Sequence, residues 1–172
     1  MKNQEKEKEI TDKSEVEKIA DDLLNTIEIN DIKDNQKENE VVEYKGQRIP
    51  QKEFEALKAI EEQIGKPPKF VTENMKTTIL DLGDTELTDL KPLTHLKHLK
   101  QLLLHKTKIS DLSPLSTLKN LKQLNLNFSN ISDLSPLTKM NCLDTVFLWG
   151  TNVDRNSEVV KRLQEKGRVV II

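Results

Sequence analysis

Aromatic residues are scarce in this chain: 3% of 172 residues, as one Trp, one Tyr and four Phe. Hydrophobic residues make up only 35%, against a globular norm of roughly 45–50% that also counts glycine. A large ring-filled globule is therefore excluded, which leaves an economical, repetitive core or a chain that is partly unpacked. Cysteine is limited to Cys142, so an internal disulfide, a cysteine-built zinc site and an iron–sulfur cluster are excluded as well. Long apolar runs are also missing. The first residues, MKNQEKEKEI, contain nothing like the roughly 7–15 apolar residues of a secretory signal. No uninterrupted apolar stretch exceeds Val169-Val-Ile-Ile172, far too short to span a membrane. A cytoplasmic location is the expectation, or a secreted or cell-surface one if a signal has been removed.

The net charge of -2 hides a division. The first forty residues hold 7 Lys against 13 Asp and Glu, whereas the remaining 132 hold 20 basic and 16 acidic side chains. Neither part has the strong basic excess of a dedicated nucleic-acid binder.

What the chain does have is internal repetition. From Leu80 onward one pattern returns every 22 residues, beginning at Leu80-Asp-Leu82, Leu102-Leu-Leu104, Leu124-Asn-Leu126 and Val146-Phe-Leu148. The remainder of each copy repeats too: Thr107-Lys-Ile109-Ser-Asp-Leu112-Ser-Pro-Leu115 stands beside Ser129-Asn-Ile131-Ser-Asp-Leu134-Ser-Pro-Leu137. The L-x-L period of two directs both leucines into a core and the residue between them outward, so each copy supplies a short strand. The Pro-Leu-x-x-Leu/Met half, with Pro at a first helical position, suits a 3-10 or short α turn on the opposite face. One copy cannot bury its own leucines, whereas stacked copies share a continuous core.

This pattern over residues 80–153 resembles the leucine-rich repeat, and its 22-residue length and sDLsPL segment resemble the bacterial internalin-like class. The resemblance implies an α/β fold: a right-handed solenoid with a parallel sheet of about five strands on the concave face, 3-10 or short helical turns on the convex face, and helical caps. The asparagine usual after the strand is replaced by Thr85, Thr107, Ser129 and Thr151, so the hydrogen-bond ladder from turn to turn is expected to run through hydroxyls.

The chain divides accordingly. Residues 1–40 read as an acidic, largely disordered tail in which Val16, Ile19, Ala20, Leu23, Leu24 and Ile27 would allow an amphipathic helix at 13–29. Residues 41–79 read as an N-terminal cap with a helix at 51–64 stopped by Gly65-Lys-Pro67-Pro68, and with the register of Met75 left open. Repeats start at 80, 102, 124 and 146. Residues 154–172 read as a closing helix, capped by Asn156 or Ser157, and a terminal strand that the helix should shield.

Chemistry-bearing residues form no site. His95 and His98 lie on the returning segment and His105 follows a strand, so they cannot converge on one metal. Asp89, Asp111 and Asp133 share one register, which suits a turn that needs a carboxylate better than a calcium site. No phosphate loop, nucleophile elbow or triad is present, and no cofactor is expected. Cys142 aligns with His98 and Asn120 at the turn into a strand and reads as a surface or half-buried thiol rather than a nucleophile.

The informative positions vary between copies and face outward from the strands: Gln101, Leu103 and His105, then Gln123, Asn125 and Asn127, then Phe147 and Trp149, with Phe128 just past the third strand. The repeat itself requires none of them. Large apolar side chains on a rigid exposed surface are what protein interfaces use as anchors. The expectation is a non-enzymatic protein-interaction module, monomeric, holding a protein partner of unknown identity on the concave face, with no nucleic acid and no membrane span. Two alternatives stay open: an exported adhesion-type repeat protein whose tail is a stalk, and a regulatory module self-associating through 13–29.

Overall fold

A computed structural model describes Lys18, which is helical, and residues 40–172. Apart from Lys18, the segment 13–29 lies outside the described residues.

Strands β1 (Val41–Tyr44) and β2 (Gln47–Pro50) form an antiparallel hairpin in which Tyr44 faces Gln47. Its turn residues Lys45 and Gly46 both have positive φ, at 52° and 75°, the geometry whose twist matches paired strands. Helix α1 (Gln51–Ile64) starts directly after Pro50 and buries Glu53, Ala56, Leu57 and Ile60. Gly65 ends it in a left-handed conformation at φ 69°, where a Cβ would be strained. Inside, the Glu53 carboxylate accepts the Thr77 amide at 2.7 Å and so ties α1 to the sheet.

The main sheet has six strands in chain order: β3 (Lys69–Glu73), β4 (Lys76–Asp81), β5 (Gln101–Leu103), β6 (Gln123–Asn125), β7 (Thr145–Phe147) and β8 (Val169–Ile171). The strands from β4 to β8 pair in parallel. The sixth strand, β3, is antiparallel to β4. Asn74 and Met75, both at positive φ, form the turn between them, which settles the register that the sequence left open.

Three 3-10 helices return along the other side: η1 (Lys91–His95), η2 (Ser113–Thr117) and η3 (Ser135–Lys139). Each carries Pro in its first two positions. Each also follows an aspartate that accepts the amide two residues on, from Asp89 to Lys91 at 2.9 Å, Asp111 to Ser113 at 2.8 Å and Asp133 to Ser135 at 2.8 Å. The column of carboxylates is thus a set of local turn formers. Hydrogen bonds from Ser113 and Ser135 hold the Asp111 and Asp133 carboxyls below their usual range.

Between sheet and turns lies a column of leucines. Leu80, Leu102, Leu124 and Val146 are register partners and are at most 1% exposed. Each such side chain contributes about 1.5–3 kcal/mol by leaving water.

The hydroxyls act differently from the expectation. Thr85, Thr107, Ser129 and Thr151 donate to the carbonyls of Leu82, Leu104, Leu126 and Leu148, three residues back in their own copies. Their side chains are too short to reach the next coil, so they close their own turn. The rungs between coils are backbone amides, such as Leu104 N–H to Asn125 O and Lys106 N–H to Asn127 O, both 2.8 Å.

At the far end Ser157 caps helix α2 (Glu158–Glu165), whose Val160 and Leu163 are buried. Buried Arg168 donates to the carbonyls of Leu143 and Met140 at 3.1 and 2.5 Å, satisfying acceptors of the last turn. The shielding expected for 169–172 is only partial. Val170 and Ile172 pack on the core, whereas alternation sends Val169 and Ile171 to the open strand face, where they are 55% and 41% exposed.

Candidate protein-binding surface

The outer face of the sheet is a grid set by register. One row runs Val71, Ile79, Gln101, Gln123, Thr145 and Val169; the next runs Lys69, Asp81, Leu103, Asn125, Phe147 and Ile171. Just past the strands, Gly83, His105, Asn127 and Trp149 continue the pattern at the same 22-residue spacing. Neighbouring positions in a row stand one strand spacing apart, about 4.8 Å.

Composition changes along the rows. At β5 and β6 the surface is mostly polar: the Gln101 amide donates to the Gln123 side-chain oxygen at 2.9 Å, and Leu103 is half-buried. At β7 and β8 it becomes apolar. Trp149 is 59% and Phe128 53% exposed, with their rings edge to face at a centroid distance of 6.4 Å. Phe147 is half-buried and is the register partner of Ile171. No described element lies over these rings, so the closing helix does not cover them.

The turn after each strand holds one left-handed residue: Asp84, Lys106, Phe128 and Gly150, at φ 53°, 52°, 57° and 69°. Carrying a bulky aromatic in that conformation costs about 1 kcal/mol. The next copy makes room for it, since a Cβ on Gly150 would stand 2.4 Å from the Phe128 ring.

Two candidate residues do more than face outward. Asn125 accepts the Asn127 amide at 3.0 Å, and Asn127 accepts the Trp149 amide at 2.8 Å. The repeat therefore uses both asparagines, against the expectation that it needs none of these positions. They set the backbone that presents Trp149. His105 lies across Gly83, where a Cβ would come within 1.9 Å of the imidazole. Its Nε2 stands 3.2 Å from an Asp84 carboxylate oxygen, and Nδ1 is buried without a partner. Lys106, and secondarily His105, hold the Asp84 carboxyl below its usual range.

The structure thus brings Asn125, Asn127, Phe128, Phe147 and Trp149 together, and leaves Gln101, Leu103, Gln123 and His105 on the adjoining polar part. Sequence reasoning missed Val169 and Ile171. The signal was available, because 169–172 read as one more strand in register with 145–148 places alternate residues beside Thr145 and Phe147. Among the described residues no cluster could hold a metal ion, and no helix is long and apolar enough to cross a membrane. Cys142 is exposed and free.

Residues 97–139 match the family described as Leucine Rich repeats (2 copies). The chain carries leucine-rich repeats. Solved leucine-rich-repeat proteins are similar over 55% of the chain: internalin C2 and an internalin F, both of Listeria monocytogenes, at 28% identity with TM-scores of 0.47 and 0.48. A leucine-rich-repeat protein of Leptospira interrogans is 21% identical over 55% of the chain, with a TM-score of 0.49. The chain spans 40%, 28% and 25% of those three proteins. No curated protein matches the sequence. Leucine-rich repeats in general serve as protein-interaction modules rather than enzymes.

Proposed function

We propose that the chain is a non-enzymatic module that holds a protein partner on the strand face, with Phe128, Phe147 and Trp149 as anchors. One observation carries the reading: Phe128, Trp149, Val169 and Ile171 are all 41% exposed or more and gather at the β7–β8 end of a face that is mostly polar at β5 and β6, with exposed Val71 set apart at the β3 edge. Fold stability gives no reason to leave such rings in water, and interfaces draw their largest energies from buried Trp, Tyr and similar anchors. The polar neighbours Asn125, Gln123 and His105 would orient the partner. The mechanism is rigid presentation, since a sheet surface held by core leucines loses little conformational entropy on binding.

A photo-cross-linking residue placed at Gln123, with a second protein carrying it at Ser116 on the 3-10 side, tests the face. A partner should be captured from position 123 and not from 116. Purified, that partner should bind the Trp149→Ala protein at least about tenfold more weakly, the scale of a lost anchor. Capture from position 116 alone, or unchanged affinity for Trp149→Ala, would overturn the proposal.

A further inference from the structure

The strand starts, on the rim opposite Phe128 and Trp149, carry a second feature. A groove of about 440 Å³ opens there, lined by Lys76, Lys100, Lys122, His98, Asn120 and Glu73 among others. Backbone hydrogen bonds stack its central column: Lys100 N–H to Thr78 O at 2.8 Å, Lys122 N–H to Lys100 O at 2.9 Å, and Asp144 N–H to Lys122 O at 2.8 Å. Two lysines therefore stand in the same register of adjacent coils, about 4.8 Å apart. Like charges placed directly opposite one another are destabilising. The repeat does not require them, because the same register holds Thr78 and Asp144 in the flanking coils.

Among the described residues the only acid lining the groove is Glu73, which ion-pairs with Lys100 and is the strand partner of Lys76. Lys122 has no ion pair among the described residues. The described lining of the groove thus carries three ammonium groups and one carboxylate, an excess of positive charge, with Asp144 following Lys122 in the column just beyond it.

We propose that this groove binds an acidic segment of a partner protein, with glutamate or aspartate carboxylates seated on Lys76, Lys100 and Lys122. The lining argues for a peptide over other anions. It contains no arginine to grip a phosphate bidentately, no helix N-terminus to present amides to one, and no aromatic ring on which a nucleic-acid base could stack. Lysines are point charges on flexible stems, suited to carboxylates spread along a chain. The Asn120 side chain donates to Lys97 O at 2.8 Å, which leaves its amide oxygen facing solvent as an acceptor for a peptide N–H. This site is separate from the aromatic patch and does not depend on it.

The test is fluorescence anisotropy with a labelled oligoglutamate peptide titrated against the whole chain, beside two other anionic probes, inorganic tripolyphosphate and oligothymidylate. Oligoglutamate should bind more tightly than either, and added salt should weaken it. The Lys100→Glu/Lys122→Glu protein should lose about tenfold or more in affinity. Lys122→Gln, which leaves the Glu73 pair in place, should lose severalfold. Lys119→Glu/Lys139→Glu on the 3-10 side should change little, and Trp149→Ala should bind as the parent does. Equal weakening by the Lys119/Lys139 variant, no loss in Lys122→Gln, or tighter binding of tripolyphosphate or oligothymidylate would overturn the proposal.

Discussion

Six aromatic side chains fall into two sets of three, and the two ends of the repeat array use them in opposite ways. In the N-terminal cap, Tyr44 stacks on Phe70 at 5.7 Å and meets Phe54 edge-on at 5.5 Å, and Tyr44 is 7% exposed. Toward the C-terminal end, Phe128 and Trp149 make one edge contact and stay more than half exposed. The ring chemistry is the same, so the difference lies in what covers it. Tyr44 of β1, Phe54 of α1 and Phe70 of β3 cover one another where these elements meet, whereas no described element lies over the second set. Rings of the first kind stabilise the fold; rings of the second kind are available to a partner.

The largest effect should come from removing a covered ring. Phe54→Ala takes away a partly buried ring packed on Tyr44, and an unfolding free energy lower by about 2–3 kcal/mol is expected in denaturant titration, somewhat below the loss for a fully buried Phe. A loss under about 0.5 kcal/mol, the level of an ordinary surface change, would break the distinction between the two sets.

Gly150→Ala acts on the second set through the backbone. Gly150 has φ 69°, which costs Ala about 1 kcal/mol. The new Cβ would meet the Phe128 ring at 2.4 Å and push it away from Trp149. A modest drop in melting temperature together with weakened partner binding is expected. Unchanged Trp149 fluorescence would show that the ring had not moved.

How far the two sets could be told apart from sequence depends on distance along the chain. The 22-residue spacing gave the leucine column, the strands and the returning 3-10 turns, because each coil repeats its neighbour. The outward direction of Phe147 and Trp149 followed from the same alternation. Missing were features that depend on contacts outside the repeat unit: the antiparallel β3–β4 hairpin turning at Asn74-Met75, and the backbone duties of Asn125 and Asn127. The reach of the Thr and Ser hydroxyls was misjudged for a geometric reason. Three-residue contacts within a coil compete with contacts to the next coil, and side-chain length decides the outcome.

Tyr44→Phe sharpens the account of the covered set through pH. The Tyr44 hydroxyl donates to Glu61 at 2.8 Å, and burial, reinforced by that carboxylate, pushes its pKa from 10.0 up to about 12. Folding therefore favours the protonated phenol. Its stabilising contribution is fully present below pH 10 and is lost as pH rises toward 12. Removing the hydroxyl should cost about 1 kcal/mol at neutral pH, a typical net hydrogen bond. Between pH 10 and 12 the stability of the Phe variant should also fall less steeply than that of the parent. Parallel curves over that range would show that the phenol does not titrate differently on folding.

The smallest change in stability should come from Phe128→Gly, and that makes it the sharpest probe of the uncovered set. Glycine adopts φ 57° without strain and so recovers about 1 kcal/mol. Against this stand the lost edge contact with Trp149, worth about 0.5–1.5 kcal/mol, and the greater freedom of glycine in the unfolded chain, worth about 0.5–1 kcal/mol. The losses exceed the gain by about 0–1.5 kcal/mol, so the melting temperature should fall only slightly. Affinity for the partner cross-linked from Gln123 should nevertheless fall by about tenfold or more. A residue whose removal leaves folding almost unchanged but weakens binding holds its strained conformation for the partner. A clear loss of stability with no loss of affinity would instead place Phe128 with Tyr44, Phe54 and Phe70 as a ring the fold needs for itself.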